Sequence, residues 1–93
     1  MDSLSNAVPG AVALLLRDAP LSPGKVQCAW SVAVGPAMQR ATTIRLDGAR
    51  LLVKAVDPQW AREIRRSTSV ILPRLQYLLG TGVVTHLEVG TAR

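Results

Sequence analysis

The chain has 93 residues, a formal net charge of +5 and an apolar content of 48%. This length suits one small domain with a single core, and so much apolar content excludes a disordered chain. Cys28 is the only cysteine, which excludes an intrachain disulfide and a cysteine-based metal cage. We expect Cys28 to fill a buried helix position as a small apolar residue. The prediction is one domain over residues 1–93, with no separate C-terminal tail, no metal and no cofactor.

The charge balance favours an acidic partner. The chain has 11 Lys and Arg residues, and only Lys25 and Lys54 are lysines. Arginine offers a fork of donors that matches phosphate and carboxylate groups. The start of the chain carries Asp2 and no early basic residue, which is not typical of a secretory signal. The apolar run over residues 11–16 is far shorter than the roughly 20 residues that span a membrane, so we expect a cytoplasmic protein.

Two helices are predicted before the first strand. The first runs from Ser3 or Ser5 to about Arg17, where apolar residues recur at helical spacing. The second is capped by Ser22 and ends at Gly35, which tolerates the backbone conformation that closes a helix. The buried stripe of this second helix consists of Val26, Ala29, Trp30 and Ala33.

A hairpin follows the two helices. Residues 42–46 and 50–56 have the alternating apolar and polar pattern of strands. Asp47 and Gly48 between them are a hairpin signal, because the turn requires a positive φ that glycine adopts freely. One face of the hairpin is therefore apolar and the other is basic. The basic residues of its solvent face are Arg45, Arg50 and Lys54.

The longest predicted helix is capped by Asp57 and closed by Gly80. Pro73 lacks the amide hydrogen of a helical bond, so it should kink or split this helix, with the break around residues 67–69. A last strand is predicted over residues 83–89. The apolar stripe of the long helix consists of Trp60, Ile64, Ser67, Ile71, Leu75 and Leu78.

The element order is helix, helix, strand, strand, long helix, strand. An α+β fold with the helices packed on one face of a small three-stranded sheet buries all these stripes. Trp30 and Trp60 are two of only three aromatic residues, and we expect both to be mostly buried in the core. Trp60 lies in the first turn of its helix, where one open edge would serve as an anchor for a partner protein.

The sequence lacks the residues of an enzyme. His86 is the only histidine, it lies in a predicted strand, and no neighbour is placed to orient it. No glycine-rich phosphate loop and no His, Cys and carboxylate cluster with metal-ligand spacing is present. The sequence therefore predicts a binding module that has no small-molecule substrate.

The long helix also carries a basic face. Arg62 and Arg66 lie at helical spacing opposite the apolar stripe, Arg65 flanks them, and Arg74 follows two turns later. One interpretation is a solvated face on which Glu63 pairs with Arg66. The other is an arginine patch that binds phosphates or an acidic protein surface. The predicted nucleic-acid-binding residues are Arg45, Arg50, Lys54, Arg62, Arg65 and Arg66, and the predicted partner-binding residue is Trp60.

Several of these segments together resemble the DciA family of bacterial replicative-helicase loaders. The resemblance covers residues 22–89 or so and rests on the order and spacing of its pieces. These are Trp30 to Gly35, the Asp47-Gly48 hairpin with Leu51 and Val53, Trp60-Ala61-Arg62-Glu63-Ile64, the series Ile71, Leu72, Leu75, Leu79 and Gly80, and the strand that begins at Val83.

The resemblance implies a KH-like domain that assists the replicative helicase onto DNA without hydrolysing ATP. Its implied partners are the helicase and DNA, the latter bound without sequence preference. A KH domain grips RNA with a Gly-x-x-Gly loop between two helices, but residues 65–69 contain no glycine. Relatives often carry a long extension, whereas this chain ends at Arg93. Two alternatives stay open: a free-standing DNA- or RNA-binding module, and an adaptor whose basic face meets an acidic protein.

Overall fold

The computed structural model describes residues 18–92. The predicted α+β fold is confirmed, whereas the predicted first helix, from Ser3 or Ser5 to Arg17, lies outside the described residues. The elements within them are α1 (Pro23–Val34), α2 (Pro36–Arg40), β1 (Thr42–Asp47), β2 (Arg50–Ala55), α3 (Pro58–Arg66), α4 (Thr68–Leu79) and β3 (His86–Thr91).

Helix α1 begins and ends as its sequence predicts. The Ser22 side chain accepts a hydrogen bond from the Lys25 backbone N–H at 3.1 Å, which satisfies one of the first amides of the helix. The predicted stripe from Val26 to Ala33 is buried. The prediction that Cys28 is buried is wrong, because its side chain is exposed. Two residues after Val26 on a helix, Cys28 lies on nearly the opposite face from the stripe.

Helix α2 was not predicted. Gly35 ends α1 with a φ of 85°, a conformation that glycine adopts without steric cost, and it also precedes the first residue of α2. Pro36 starts α2 at a position where the missing amide hydrogen has no helical partner to lose. Gly35 therefore ends α1, and Pro36 starts α2.

The three strands form one sheet in the order β1-β2-β3. The pair β1 and β2 is an antiparallel hairpin in which Asp47 lies opposite Arg50, and Gly48 in the turn has a φ of 62°. Strand β3 runs parallel to β2, with Val89 opposite Val53. This parallel pairing requires a crossover, which α3 and α4 supply.

The predicted long helix is two helices. They meet at Ser67, inside the predicted break, where the Ser67 N–H donates to the carbonyl oxygens of Glu63 and Ile64 at 3.0 and 3.1 Å. The Ser67 side chain does not cap α4. Pro73 lies inside α4 without ending it. The break is therefore correctly placed, but a single continuous helix is wrong.

The last strand begins later than predicted. Residues 81–83 form a turn, and β3 starts at His86. Val84, which precedes the strand, is fully buried, while Thr85 is exposed. Leu87 and Val89 point toward the helices as half-buried residues. The predicted strand therefore starts three residues too early.

All described helices lie on one face of the sheet, as predicted. This core face carries Leu51, Val53 and Ala55 of β2, all almost fully buried. The opposite face, which we call the open face, has no element packed on it within residues 18–92. Its residues, given by the strand register, are Thr43, Arg45, Asp47, Arg50, Leu52, Lys54, His86, Glu88 and Gly90.

Trp30 lies at the centre of the core and has no exposed surface. Its indole Nε1 donates to the Thr42 hydroxyl oxygen at 2.9 Å. That hydroxyl in turn donates to the carbonyl oxygen of Met38 at 2.8 Å. The bonds tie α1 to the first residue of β1 and to α2, so the one polar atom of the largest buried side chain is satisfied.

Trp60 packs against the core as a partly buried residue, in agreement with the prediction that it is mostly buried. Its position in the first turn of α3 leaves part of the side chain in contact with solvent. Within residues 18–92, no helix is both long and apolar enough to cross a membrane.

We predict that Thr42→Val lowers the free energy of unfolding by about 1–3 kcal/mol, because it leaves the buried indole N–H of Trp30 without an acceptor. Valine matches threonine in shape and in preference for strands, so the loss reports the hydroxyl. The measurement is the midpoint of urea denaturation. Thr43→Val is the matched control, since Thr43 is exposed on the same strand. Equal midpoints for the two variants would contradict the role of the Thr42 hydroxyl.

Candidate nucleic-acid interface

A shallow basic groove lies on the open face over strands β1 and β2. It has a volume of about 230 Å³ and is lined by Thr43, Ile44, Arg45, Leu52 and Lys54. Arg45 lies opposite Leu52 and Thr43 opposite Lys54, which makes the two cations diagonal neighbours across the hairpin, roughly 7–8 Å apart. Half-buried Leu52 forms an apolar floor between two exposed positive groups. This geometry suits a ligand whose negative groups contact Arg45 and Lys54 and whose apolar part contacts Leu52.

Arg50 is placed on the same face but is already paired. Its guanidinium lies 3.0 Å from a Glu88 carboxylate oxygen and 4.0 Å from one of Asp47. All three side chains are more than half exposed, so these pairs contribute little stability. They do cancel the positive charge of Arg50 at this end of the sheet. The open face is therefore basic near Lys54 and close to neutral near the hairpin turn.

Helix α3 carries the second predicted group of cations. The Asp57 side chain accepts from the Trp60 N–H at 2.8 Å and starts the helix. Arg62 is exposed and its side chain makes no hydrogen bond or ion pair within the described residues. Arg66 pairs with Glu63 at 3.3 Å, the pairing that the solvated-face interpretation predicts. Arg62 is therefore the cation of α3 that is available to a ligand.

The Arg65 side chain makes a hydrogen bond within the protein. One of its terminal nitrogens donates to the carbonyl oxygen of Val89 at 3.0 Å. This bond joins α3 to the edge strand β3, whose other neighbour is β2. Arg65 thus holds the helix in place, and its guanidinium keeps further donors at the sheet edge.

Arg74 does not join the basic face that helical spacing predicted. Its side chain is half-buried and donates from one terminal nitrogen to the carbonyl oxygen of Ala33 at 2.7 Å. That carbonyl belongs to the last turn of α1, where a positive charge is favourable. The Arg74 Nε is buried without a partner. The hydrogen bond to α1 therefore keeps the Arg74 side chain away from the basic face, although helical spacing predicts that it lies there.

The six predicted residues do not form one continuous patch. Arg45, Arg50 and Lys54 lie on the open face, whereas α3 packs on the core face and turns Arg62 and Arg66 to the outside of the helix layer. Arg65 lies at the β3 edge between these two regions. Of these six residues, Arg45, Lys54 and Arg62 have side chains without an ion pair or hydrogen bond in the described part of the chain.

Sequence reasoning missed two features of this surface. Thr43 and Leu52 line the groove, although strand alternation places both on the face of Arg45 and Lys54 and would have found them. The pairing of Arg50 with Glu88 had no sequence signal, because the partners are 38 residues apart and meet only through the parallel β2-β3 register.

The junction of α3 and α4 differs from an RNA-gripping loop. A Gly-x-x-Gly loop lets a nucleic-acid backbone approach closely because glycine has no side chain. Here Ser67 alone separates the helices, and the Thr68 hydroxyl donates back to the Ile64 carbonyl oxygen at 3.1 Å. This junction offers no such loop.

The described residues do not form a metal-binding cluster, and their one histidine has no catalytic partners. Within residues 18–92, no three His, Cys, Asp or Glu side chains are close enough to hold a metal ion. His86 is exposed on the open face, and its Nδ1 lies 2.9 Å from the Thr85 hydroxyl. A threonine hydroxyl beside one ring nitrogen does not make the acid, base and nucleophile set of an enzyme.

A comparison with models of protein families gives a match over nearly the whole chain. A family model described as "Dna[CI] antecedent, DciA" covers residues 3–89. No curated protein matches the chain significantly. The matched range includes the hairpin, both tryptophans and every cation of the predicted interface. The family is associated with helicase loading in DNA replication. The chain belongs to the DciA family of replication accessory proteins.

Proposed function

We propose that this protein is a non-enzymatic accessory of chromosome replication in the cytoplasm of a bacterium. It binds the replicative helicase and DNA, and it assists loading without hydrolysing ATP. The observation that carries this proposal is the family match over residues 3–89.

DNA is bound through unpaired cations. Arg45 and Lys54 on the open face and Arg62 on α3 have no internal partner among residues 18–92 to give up when a phosphate arrives. Arg50, Arg65 and Arg66 contribute less, because each already has an acceptor. None of these side chains is placed in a rigid array for reading base edges, so the binding is electrostatic and independent of sequence.

The helicase is bound around Trp60. This side chain combines an anchored ring with an exposed edge, the character of an interface anchor. Because the protein has no nucleotide reaction to drive the process, it acts through binding energy alone. It must therefore bind one state of the helicase more tightly than another, since a ligand shifts an equilibrium only by its differential affinity.

We predict that affinity for a labelled single-stranded oligonucleotide falls steeply with salt, because each phosphate contact releases counterions. Three free cations give a slope of about −2 for log affinity against log salt. Arg62→Glu should lower the affinity by about tenfold, as should Arg45→Glu. The measurement is fluorescence anisotropy over a salt series, with thermal melting to confirm the fold.

The matched control for these reversals is Arg66→Glu. Arg66 is an exposed arginine of α3 that already pairs with Glu63, and its reversal changes the net charge equally. If all three variants lose the same affinity, total charge and not these positions accounts for binding. Affinity that is indifferent to salt would contradict DNA binding by this surface.

We predict that the protein and the replicative helicase of the same organism elute as a complex from a sizing column at low salt. Trp60→Leu should weaken this complex about tenfold or more, because it removes the exposed ring while keeping an apolar side chain against the core. Tyr77→Leu is the control, since Tyr77 is a 52% exposed aromatic residue on α4.

The outcomes of this experiment separate the two parts of the proposal. No complex with the unmodified chain would overturn the loader function and favour a free-standing nucleic-acid-binding module. A complex that is equally stable with Trp60→Leu and Tyr77→Leu would leave the loader function in place and contradict the assignment of Trp60.

A further inference from the structure

Among residues 18–92, strand β1 is an edge of the sheet, and the backbone groups on its outer side have no strand partner. Within residues 18–92, β1 pairs only with β2. The Val56 N–H donates to the Ala41 carbonyl oxygen at 2.9 Å, which makes these opposite residues a hydrogen-bonded pair. Such pairs alternate along an antiparallel ladder. The N–H and carbonyl groups of Thr42, Ile44 and Leu46 therefore point outward from the edge.

A groove follows this edge on each face of the sheet. On the core side, a groove of about 420 Å³ lies between β1 and the start of α1. Most of its surface is apolar and is formed by Leu21, Pro23, Val26, Ile44 and Leu46, and Ser22, Gln27 and Arg45 also line it. Leu21 is 56% exposed there. On the open side lies the basic groove of Arg45, Leu52 and Lys54.

We propose that β1 is a docking edge for an extended segment of a partner protein, whose side chains alternate between apolar and acidic. A strand added to β1 would hydrogen-bond to Thr42, Ile44 and Leu46. Its successive side chains point to opposite faces of the sheet. One set would enter the apolar groove, and the other would meet Arg45 and Lys54. This is recognition by strand addition, in which the backbone supplies affinity and the two grooves supply specificity.

Charge complementarity decides what kind of occupant fits. Arg45 and Lys54 have no internal ion-pair or hydrogen-bonding partner within the described residues, so a carboxylate would not have to displace one. A second copy of this chain fits less well. Antiparallel pairing of β1 with itself, centred on Arg45 or on Ile44, would place the two Arg45 side chains directly opposite or diagonal to each other, and like charges this close destabilise a sheet. This inference goes beyond the proposed loading function and does not depend on it.

A synthetic peptide of about eight residues, alternating Val and Glu, tests the proposal. The probes for comparison are the same peptide with Lys in place of Glu, and one with a central proline that cannot pair along a strand. Binding is followed by fluorescence anisotropy. Amide hydrogen exchange is measured in parallel, because strand addition should slow exchange at Thr42, Ile44 and Leu46, and a side-chain contact alone would not.

The Glu peptide should bind at least about tenfold more tightly than the Lys peptide or the proline peptide. The double variant Arg45→Glu/Lys54→Glu should reverse the preference between the Glu and Lys peptides. Leu21→Ser should weaken binding of the Glu peptide several-fold, and both variants should keep the melting temperature of the unmodified chain. The matched controls, Arg62→Glu on α3 and Val70→Ser on α4, should bind it normally.

Three results would overturn the proposal. The first is binding of the Glu peptide without slower exchange at the three amides of β1. The second is no binding of that peptide while an oligonucleotide binds and requires Arg45 and Lys54, which would assign the basic groove to nucleic acid alone. The third is a dimer in light scattering that dissociates on Leu21→Ser, which would make a second copy the occupant.

Discussion

Burial of Trp30 against the core face of the sheet is the interaction on which the other features depend. The ring has no exposed surface, and its only polar atom is satisfied by the Thr42 hydroxyl. Because Thr42 is also bonded to Met38, the ring fixes α1, α2 and β1 relative to one another. The described helices can then cover only the face on which this ring lies, which leaves the open face and the β1 edge to solvent.

The charges on that exposed surface divide into two classes. Some cations are occupied, either by a carboxylate, as Arg50 and Arg66 are, or by a backbone carbonyl, as Arg65 and Arg74 are. Others, among them Arg45, Lys54 and Arg62, have no such partner within residues 18–92. A formal charge of +5 describes the chain as a whole, but binding of an acidic partner depends on where the unoccupied cations lie. In this molecule they lie on both sides of the sheet.

Local signals explain why most of the fold could be predicted from the sequence. Ser22 and Asp57 cap helices through hydrogen bonds to backbone amides three residues later, and Gly48 provides the positive φ of the hairpin turn. These features depend on neighbours in the chain, so the pattern of residues is sufficient. The predicted helix break near Ser67 is correctly placed, although the Ser67 side chain does not cap α4 and Pro73 lies inside that helix.

Tertiary contacts explain what could not be predicted. Helical spacing predicts that Arg74 is a surface cation, but its side chain is half-buried because it donates a hydrogen bond to the last turn of α1. The Glu88 partner of Arg50 depends on the parallel register of β2 and β3. For the candidate interface, the sequence therefore identified the cations but not which of them remain available.

We propose that cations without an internal hydrogen bond or ion pair, rather than the total charge, define the nucleic-acid surface. This proposal is tested by mapping the amide chemical shifts of the isotope-labelled chain during titration with a short single-stranded oligonucleotide. We expect the largest changes around Arg45 and Lys54 on the open face and around Arg62 on α3. Changes confined to the exposed side of α4, at Val70 and Tyr77, or equal changes around every exposed arginine, would contradict the claim.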